Sequence, residues 1–488
     1  MRSYAPLLPY AIAFWLGCTY GLEDLNVIWL TFFLWCVGGC WLGFTWGYRF
    51  SKARYGLFLL CCGLGIFRSY VEIQNKPCPD GEVHAFKITS CKPPPVRFGK
   101  YIYGYGNTIE VGKVAFKWPS ELVFPDLETT AVGAWEEFPK PPHNSRFDLR
   151  RYYEGMGCRG VFTPRVVISH QEITPSIKET HALPFYYRNR MKTKLESSGI
   201  PQPAAGFLLG LSTGDKSWIP KYTKDLFSRA GLAHLLAVSG YHVGIVGCLP
   251  LLFLRSRRRE IRWLSFFGLS CIWLFIVACG SPWSAVRSGI MVTVGCIGKW
   301  SGRRILPWQG FALAAWVVAW VDPWAPQQLG TQLSFVATAA ILAVISNPKW
   351  LILRIPIAAQ TATMAWTATT FYQLPIWFLP LNVIASPIVT CIGALIGFGS
   401  LIEEFDPSIG NILLIYGGHI AKYAIELLSS FDSSHPLAIQ LESGKDFIGT
   451  SLVTMGWLFQ TTIPTLLARI LSATSVVYAT ITLLRLLV

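Results

Sequence analysis

Charged residues are scarce in this sequence. Asp, Glu, Lys and Arg make up 14% of the 488 residues, against about 25% in a typical soluble chain. Hydrophobic residues account for 52%, and apolar runs of roughly 20 residues, long enough to cross a hydrocarbon core, recur along the chain. This composition excludes an ordinary soluble domain and predicts a polytopic α-helical membrane protein.

Acidic residues are rarer than basic ones, with 27 against 42 and a formal net charge of +15. Lys and Arg concentrate in short loops such as 255–262 and 302–304, and such loops face the cytoplasm. The excess is therefore weak evidence for a nucleic-acid partner. Counting spans back from the first of these loops places Gly231 outside, in agreement with a cytoplasmic N-terminus.

Signatures of metal sites and of energy-converting enzymes are missing. The 13 cysteines include no two CxxC pairs, so no zinc site is indicated. No P-loop is visible, and paired carboxylates are sparse within the apolar runs. We therefore expect no metal, no cofactor and no ATPase activity, and any motor would be another protein.

Apolar runs predict the spans. Three lie in an N-terminal region, 1–74, at 6–22, 27–47 and 55–73. A multi-span domain, 231–488, holds the others, at 231–254, 263–280, 282–300, 307–321, 329–346, 355–376, 378–400, 409–430, 450–468 and 471–488. Pro380 and Pro387 suggest that 378–400 is broken or re-entrant, with a plain proline kink as the alternative.

Residues 75–184 differ from the rest, because prolines, charges and short alternating runs such as TIEVGKVAF replace the apolar blocks. Period-2 alternation predicts strands, and hence a small all-β domain with the form of a barrel on the extracytoplasmic side. An oxidising compartment there would permit a disulfide between Cys78 and Cys91.

Tyr101, Tyr103 and Tyr105 alternate along one predicted strand and share a face, where they could stack on bases. Residues 75–184 hold 14 Lys and Arg against 12 Asp and Glu, so 14 − 12 = +2, which is a weak electrostatic footprint for nucleic acid. Packing in a core or on the membrane surface is the alternative.

Residues 185–230 are predicted to be basic and interfacial helices. The first of them, FYYRNRMKTKLESSG, carries four cations: Arg188, Arg190, Lys192 and Lys194. These cations suit either DNA phosphates or anionic lipid headgroups.

The stretch GLAHLLAVSGYHVGIV, residues 231–246, is apolar apart from His234, Ser239, His242 and its glycines. On a continuous α-helix the three side chains fall within about 140° of one another, on one broad face. Their spacing fits neither a metal-binding pair at i and i+4 nor a nucleophile elbow. This face either bonds to neighbouring helices or lines an aqueous path.

Arg287 lies about one and a half turns inside a span that Pro282 can start. It either snorkels to the interface or faces a pore. The inferred orientation places four polar side chains in the outer third of the membrane: His234, Arg287, Asp322 and Gln332. Since Ser239 and His242 lie deeper, the sequence predicts a polar vestibule that opens outward and narrows inward.

Four runs occur in a recognisable order: LLGLSTGDKSWIPKYTKDLFSRAGLAHLLAVSGYHVGIV, SAVRSGIM with a following GRR, DPWAPQQLGTQLSF, and FYQLPIWFLPLN. Together they resemble the signature of ComEC-family competence proteins, over most of 1–430. The resemblance implies these characteristic residues: Gly214, Asp215, His234, Leu236, Ser239, Gly240, His242, Arg287, Asp322, Gln332, Ser334, Phe335 and Asn382. One mild departure is Tyr241, where the family usually has Leu.

The resemblance also implies a function. ComEC proteins form the inner-membrane channel through which single-stranded DNA enters during natural transformation, and FDLRRYYEGMGCRGVF looks like the end of their OB-like extracytoplasmic domain. The implied partners are single-stranded DNA, membrane lipids, further copies of the chain, and separate nuclease, motor and DNA-receptor proteins.

One departure from the family pattern concerns catalysis. Many members continue into a metallo-β-lactamase-like domain with an HxHxDH motif, which this sequence lacks, so we expect a short form without nuclease activity. The alternative function is a small-solute transporter or membrane enzyme that uses His234 and His242 in proton chemistry. No inverted repeats are evident to support a transporter.

Overall fold

The computed structural model describes the following residues: 11, 14, 15, 18, 60–69, 71–72, 79–98, 101–120, 122, 127–138, 149–170, 183–236, 238, 240, 242–244, 246, 259–303, 305–345, 350–403 and 405–440. The chain forms two compact units. The first consists of Met1–Tyr4, Arg188–Ala285 and Gln332–Val488, and the second of Ala5–Tyr187 and Val286–Thr331.

Five strands in the second unit close into a barrel. They are β1 (Val83–Phe98), β2 (Tyr101–Thr108), β3 (Gly112–Pro119), β4 (Leu127–Glu136) and β5 (Val161–His170). The order around the barrel is β1-β2-β3-β5-β4. Strand β1 pairs with both β2 and β4, and only the β3–β5 pair is parallel. Closure removes the exposed strand edges that an open sheet would leave.

Aromatic side chains fill the barrel interior. Phe86, Phe116, Trp118, Trp135 and Phe162 belong to one buried cluster. The Pro-Pro-Pro run falls where the β1–β2 register shifts, between the pairs of Lys92 and Val96, because proline has no N–H to give to the ladder.

Outside the barrel, the described structure is mainly helical. The helices are α1 (Leu60–Ser69), α2 (Leu149–Gly155), α3 (Leu183–Ser197), α4 (Gln202–Thr213), α5 (Lys221–Arg229), α6 (Arg259–Ala278), α7 (Trp283–Trp300), α8 (Pro307–Val321), α9 (Leu329–Val344), α10 (Leu351–Phe371), α11 (Phe378–Ile402) and α12 (Pro407–Ser434). Short 3-10 helices cover Ala233–Leu236 and Ala325–Gln327. A two-stranded sheet joins β6 (Gln373–Pro375) to β7 (Ala438–Gln440).

Two helices of the described part of the chain have the length and apolar composition to cross a membrane, Phe378–Ser400 and Pro407–Ser434. Helices α1, α8 and α9 are apolar but shorter than 18 residues, and so are the apolar parts of α6 and α10. The predicted spans from 263 to 430 coincide with helices α6 to α12 to within a few residues, because long apolar runs have few other ways to satisfy their backbone groups.

Helix α11 decides between two predictions. The sequence left 378–400 either broken or re-entrant, or a helix with a plain proline kink, and the helix is continuous through Pro387, so the broken form is wrong. Pro380 lies in the first turn, where no intrahelical N–H bond is needed. Pro387 removes a single backbone bond, which a long apolar helix tolerates where neighbouring groups compensate.

The stretch 231–246 corrects a second prediction, since it is not one α-helix. Residues 233–236 form a 3-10 helix, Val238 is outside any helix, and α-helical structure begins at Gly240. The angles assumed for one continuous helix therefore do not apply. Ser239, Cys78 and the side chain of Cys91 lie outside the described residues, as do the predicted spans 27–47, 450–468 and 471–488.

Candidate functional site

Asp215 is buried at the end of helix α4. Gly214 ends the helix in the left-handed conformation, with φ of 79°, which favours glycine. One carboxylate oxygen of Asp215 accepts the Ser217 N–H at 2.8 Å, and the other lies 3.9 Å from the Arg188 Nε. The side chain of Thr213 accepts the Asp215 N–H. Asp215 thus closes a tight, non-helical turn and lies close to the Arg188 guanidinium.

The cations of helix α3 contact other parts of the first unit. Besides the Arg188–Asp215 contact, the Lys192 ammonium lies 5.1 Å from the centre of the Trp218 ring. The Lys194 ammonium forms an ion pair with Glu403 at 2.6 Å, and Arg190 is exposed. Arg188, Lys192 and Lys194, which the sequence predicts to contact phosphates, each contact a side chain of the protein.

The two histidines of 231–246 differ in burial. His242 is 4% exposed, whereas His234 is exposed at the 3-10 helix and Gly240 is half-buried. The two imidazoles lie close enough to interact electrostatically. His242 is thus the buried one of the two, and His234 lies on the 3-10 helix rather than on an α-helix shared with His242.

Gly231 joins this stretch to a second run, FYQLPIWFLPLN. Its φ is +74°, and a Cβ there would lie 3.0 Å from the Cβ of Phe378 and 3.1 Å from that of Pro375. A side chain at 231 would be both strained and crowded. The glycine lets the turn pack directly on the start of helix α11.

Asn382 is 9% exposed on helix α11. Its amide donates to the Phe378 carbonyl at 2.7 Å, and the Ser386 and Thr390 hydroxyls continue this pattern at four-residue intervals. In the first unit Gln332 and Ser334 are half-buried at the start of α9. Polar side chains thus line one row of α11, bonded largely to their own backbone.

Arg287 is 7% exposed in the second unit, just over one turn into helix α7. One guanidinium nitrogen donates to the Ser288 hydroxyl at 3.1 Å, and another lies 3.6 Å from the Met291 sulfur. These two contacts are with neutral groups.

Asp322 anchors the loop between helices α8 and α9 to the barrel of the same unit. Its carboxylate accepts the Lys113 ammonium at 3.0 Å and the Trp324 N–H at 3.1 Å, and the Gln328 amide lies 3.4 Å away. The carboxylate side chain is only 9% exposed. Sequence reasoning missed Lys113, because nothing in the local pattern of strand β3 distinguishes it from other surface lysines.

Trp324 completes this junction. Gly157, with φ of +85°, lies so close to it that a Cβ would be 2.9 Å from the indole ring. The indole of Trp324 therefore occupies space that a side chain at position 157 would need. The runs YYEGMGC and DPWAPQQ, which are far apart in the sequence, are therefore neighbours in the fold.

The three tyrosines of strand β2 have different environments. Tyr105 packs beside a buried cluster and lies 6.4 Å from the Tyr153 ring, centre to centre, and burial raises the pKa of its hydroxyl. Tyr101 lies under the Lys117 ammonium at 4.6 Å. Tyr103 is half-buried. Tyr105 is thus largely used for packing, while Tyr101 pairs with a cation.

No group of three or more His, Cys, Asp or Glu side chains that could hold a metal occurs among the residues the structure describes. The chemistry available in the two units is that of buried cations, carboxylates and amides inside apolar helices.

Comparison with known proteins defines the class. A family model described as Competence protein matches residues 211–466, more than half of the chain. The chain therefore belongs to the ComEC family of competence proteins. The match covers Asp215, His234, His242, Arg287 and Asn382.

Three curated relatives are similar over part of the chain. ComE operon protein 3 of Bacillus subtilis is 26% identical over 48% of this chain and 31% of its own length. Recombination protein 2 of Haemophilus influenzae is 23% identical over 40% of this chain and 24% of its own length. YcaI of Escherichia coli is 26% identical over 32% of this chain and 22% of its own length. The aligned segments span less than a third of each relative, and no solved structure matches significantly.

Proposed function

We propose that the chain is a membrane channel that passes single-stranded DNA across the cytoplasmic membrane during natural transformation. The observation that carries the proposal is the Competence match over 211–466. Within that range, buried polar residues such as Asp215, His242 and Asn382 lie among apolar helices. Ionisable and amide groups are costly inside a membrane and are usually retained for function.

The proposal includes an orientation. The N-terminus lies in the cytoplasm, the multi-span domain crosses the inner membrane, and the barrel lies outside. The five-stranded closed barrel, with its parallel β3–β5 pair, supports an OB-like domain. Barrels of that class bind single strands with aromatic and basic side chains, and Tyr101 with Lys117 supplies one such pair.

Transport would be passive in this chain. Cations and hydrogen-bonding groups would receive the sugar-phosphate backbone without reading the bases. The chain itself would act neither as a nuclease nor as an ATPase. Strand degradation, the driving force and initial DNA capture would then belong to separate nuclease, motor and receptor proteins, and copies of the chain could assemble around one path.

Deletion and complementation test this function. Cells that lack the gene should still bind labelled duplex DNA at their surface but should not bring it into a nuclease-protected state, and the full-length gene should restore uptake. Parental transformation in the deletion strain would contradict the proposal. A defect confined to the uptake of a small solute would favour a transporter instead.

A further inference from the structure

Helices α11 and α12 form an antiparallel hairpin in the first unit, and the position of a residue along α12 gives its depth in the membrane. Helix α12 has 28 residues, so at about 1.5 Å per residue it is about 42 Å long, longer than a hydrocarbon core of about 30 Å. Glu403 precedes α12 at one end of the hairpin, and Asp432 lies near the other end. These two carboxylates therefore lie at opposite ends of the hairpin.

Two ion pairs tie the segment 194–229 to those ends. Lys194 pairs with Glu403 at 2.6 Å, and Arg229 pairs with Asp432 at 2.5 Å. The chain between Lys194 and Arg229 must therefore run beside α12 from one end towards the other. The sequence predicts basic and interfacial helices over 185–230, and these contacts place the part from Lys194 to Arg229 along the length of α12.

Close packing places the start of helix α4 beside the middle of α12. A Cβ on Gly418 would lie 2.6 Å from the Ile200 Cδ1. Gly418 is 11 residues after Pro407, or about 16 Å along the helix at 1.5 Å per residue. Ile200, two residues before the start of α4, therefore lies near the middle of α12.

The turn that follows α4 folds back to the same level. A Cβ on Gly206 would lie 2.5 Å from the Trp218 carbonyl oxygen. Trp218 also borders a cavity of about 220 Å³ together with Ile200, Gln202 and Glu196. The end of the loop 214–218, at Trp218, is consequently held against the first half of α4, near the middle of α12.

This loop is polar, non-helical and accessible. Ser217 is exposed, and Lys216 is half-buried. At membrane depth, irregular backbone is tolerated only where protein covers it or where it lines a water-filled cavity. Since Ser217 is uncovered, the second condition applies.

The charges around the loop favour an anion. Asp215 is surrounded by Arg188 and by Lys224, which lies close enough to interact with both Asp215 and Lys216. The Lys192 ammonium adds a further positive charge over the Trp218 ring. Two more carboxylates lie nearby, since Asp225 interacts with Lys224 and Glu196 borders the cavity beside Trp218. Four cations against three carboxylates, 4 − 3, leave a net charge of +1 around the loop. Trp218 provides an aromatic surface on which a base can stack. A strand of nucleotides offers the phosphate and the base that this arrangement suits.

We propose that the loop 214–218 lines an aqueous path at mid-depth of the membrane and binds a phosphate of single-stranded DNA there. Lys216 and Lys192 would hold the phosphate, and Trp218 would support the neighbouring base. The identity of the cargo rests on the proposed function, whereas the position of the loop does not.

Thiol labelling tests the path in native membranes. Ser217→Cys should react with a charged, membrane-impermeant thiol reagent above the background of the native cysteines. Tyr416→Cys is the matched control, because Tyr416 is 61% exposed on α12 only two residues from Gly418, where a lipid-facing thiol should not react. Absence of labelling at 217, or equal labelling at both positions, would overturn the inference.

Oligonucleotide binding tests the cargo. The full chain in nanodiscs of zwitterionic lipid should bind oligo-deoxythymidine, and Lys216→Gln should weaken this binding roughly 10-fold, the value of one charge-assisted contact. Lys221→Gln, which removes an exposed charge five residues later, should have little effect. Equal weakening in both variants would reject a specific phosphate site.

The two proposals can fail separately. If deletion of the gene abolishes DNA uptake but position 217 stays unlabelled, the loop does not line the path and the channel function stands. If position 217 is labelled but uptake is normal without the gene, the path exists and the DNA assignment is wrong.

Discussion

At the scale of single residues, Asp322 shows how a polar group in an interfacial turn is used. The sequence placed it in a vestibule, and the structure surrounds its carboxylate with Lys113, the Trp324 N–H and the Gln328 amide. Such a carboxylate stabilises the contact of the barrel with the α8–α9 loop, because removing one partner leaves the other charge partly buried.

A double-mutant cycle tests that role. Lys113→Gln and Asp322→Asn should each lower the free energy of unfolding by about 1–3 kcal/mol, and the double variant should lose little more, since both single changes remove the same ion pair. Thermal unfolding of the detergent-purified chain measures the effect. Arg150→Gln, which breaks an exposed pair with Glu154, should change it by less than about 0.5 kcal/mol. Additive losses at 113 and 322 would argue against direct coupling.

Arg287 gives a functional prediction. Arg287→Ala should reduce transformation roughly 100-fold or more, because a desolvated charged contact contributes about 2–3 kcal/mol, while DNA binding at the cell surface persists. Ser288→Ala keeps the charge and removes only its hydroxyl partner, so it serves as the control. Unchanged transformation in Arg287→Ala, at equal amounts of protein in the membrane, would count against a place in the DNA path.

At the scale of elements, close glycine contacts set the distance between helices. Gly418 and Gly417 are adjacent on α12 but differ in their surroundings. A Cβ at 418 would overlap Ile200, at 2.6 to 2.8 Å from three of its side-chain carbons, whereas one at 417 would meet only the Leu395 Cβ at 3.6 Å. The first position therefore excludes a side chain that the second can accept.

Gly417 provides a matched control for Gly418. Gly418→Ala should lower the free energy of unfolding of the purified chain by about 1–3 kcal/mol, the usual cost of overpacking. Gly417→Ala should leave it nearly unchanged, because 3.6 Å is ordinary van der Waals contact. If both variants melt like the parent, α4 does not pack against α12 as closely as the structure indicates.

Element boundaries follow the sequence well where apolar runs are long. Helix α8 was predicted at 307–321 and spans Pro307–Val321, because Pro307 suits the first turn and the apolar run ends at Asp322. The stretch 231–246 was predicted less well. Its 3-10 helix follows Gly231, which packs against Pro375, a contact that no local pattern reveals.

At the scale of the whole molecule, the membrane orientation follows from α11 and α12. If both helices cross the bilayer, the loop between them and the end of α12 face opposite compartments. Phe405 is 91% exposed in that loop, and Ser434 is exposed at the last turn of α12. Both positions therefore report on the compartment that each end faces.

Sided labelling checks this arrangement. A charged thiol reagent added to intact spheroplasts should modify only one of Phe405→Cys and Ser434→Cys, and inverted vesicles should show the opposite preference, because such a reagent does not cross the bilayer. The parental chain reports the background of native cysteines. Labelling of both positions from the same side would show that the hairpin does not span the membrane.

The sequence by itself determined the family and the positions of most described helices, because run length and ordered motifs are local properties of the chain. Only the tertiary structure decided which polar groups meet. Lys113 reaches Asp322 across 209 residues, and Arg229 reaches Asp432 across 203 residues. Contacts of this kind arise from how packed elements approach one another. Residues so far apart in the chain share no local sequence pattern from which the contact could be predicted.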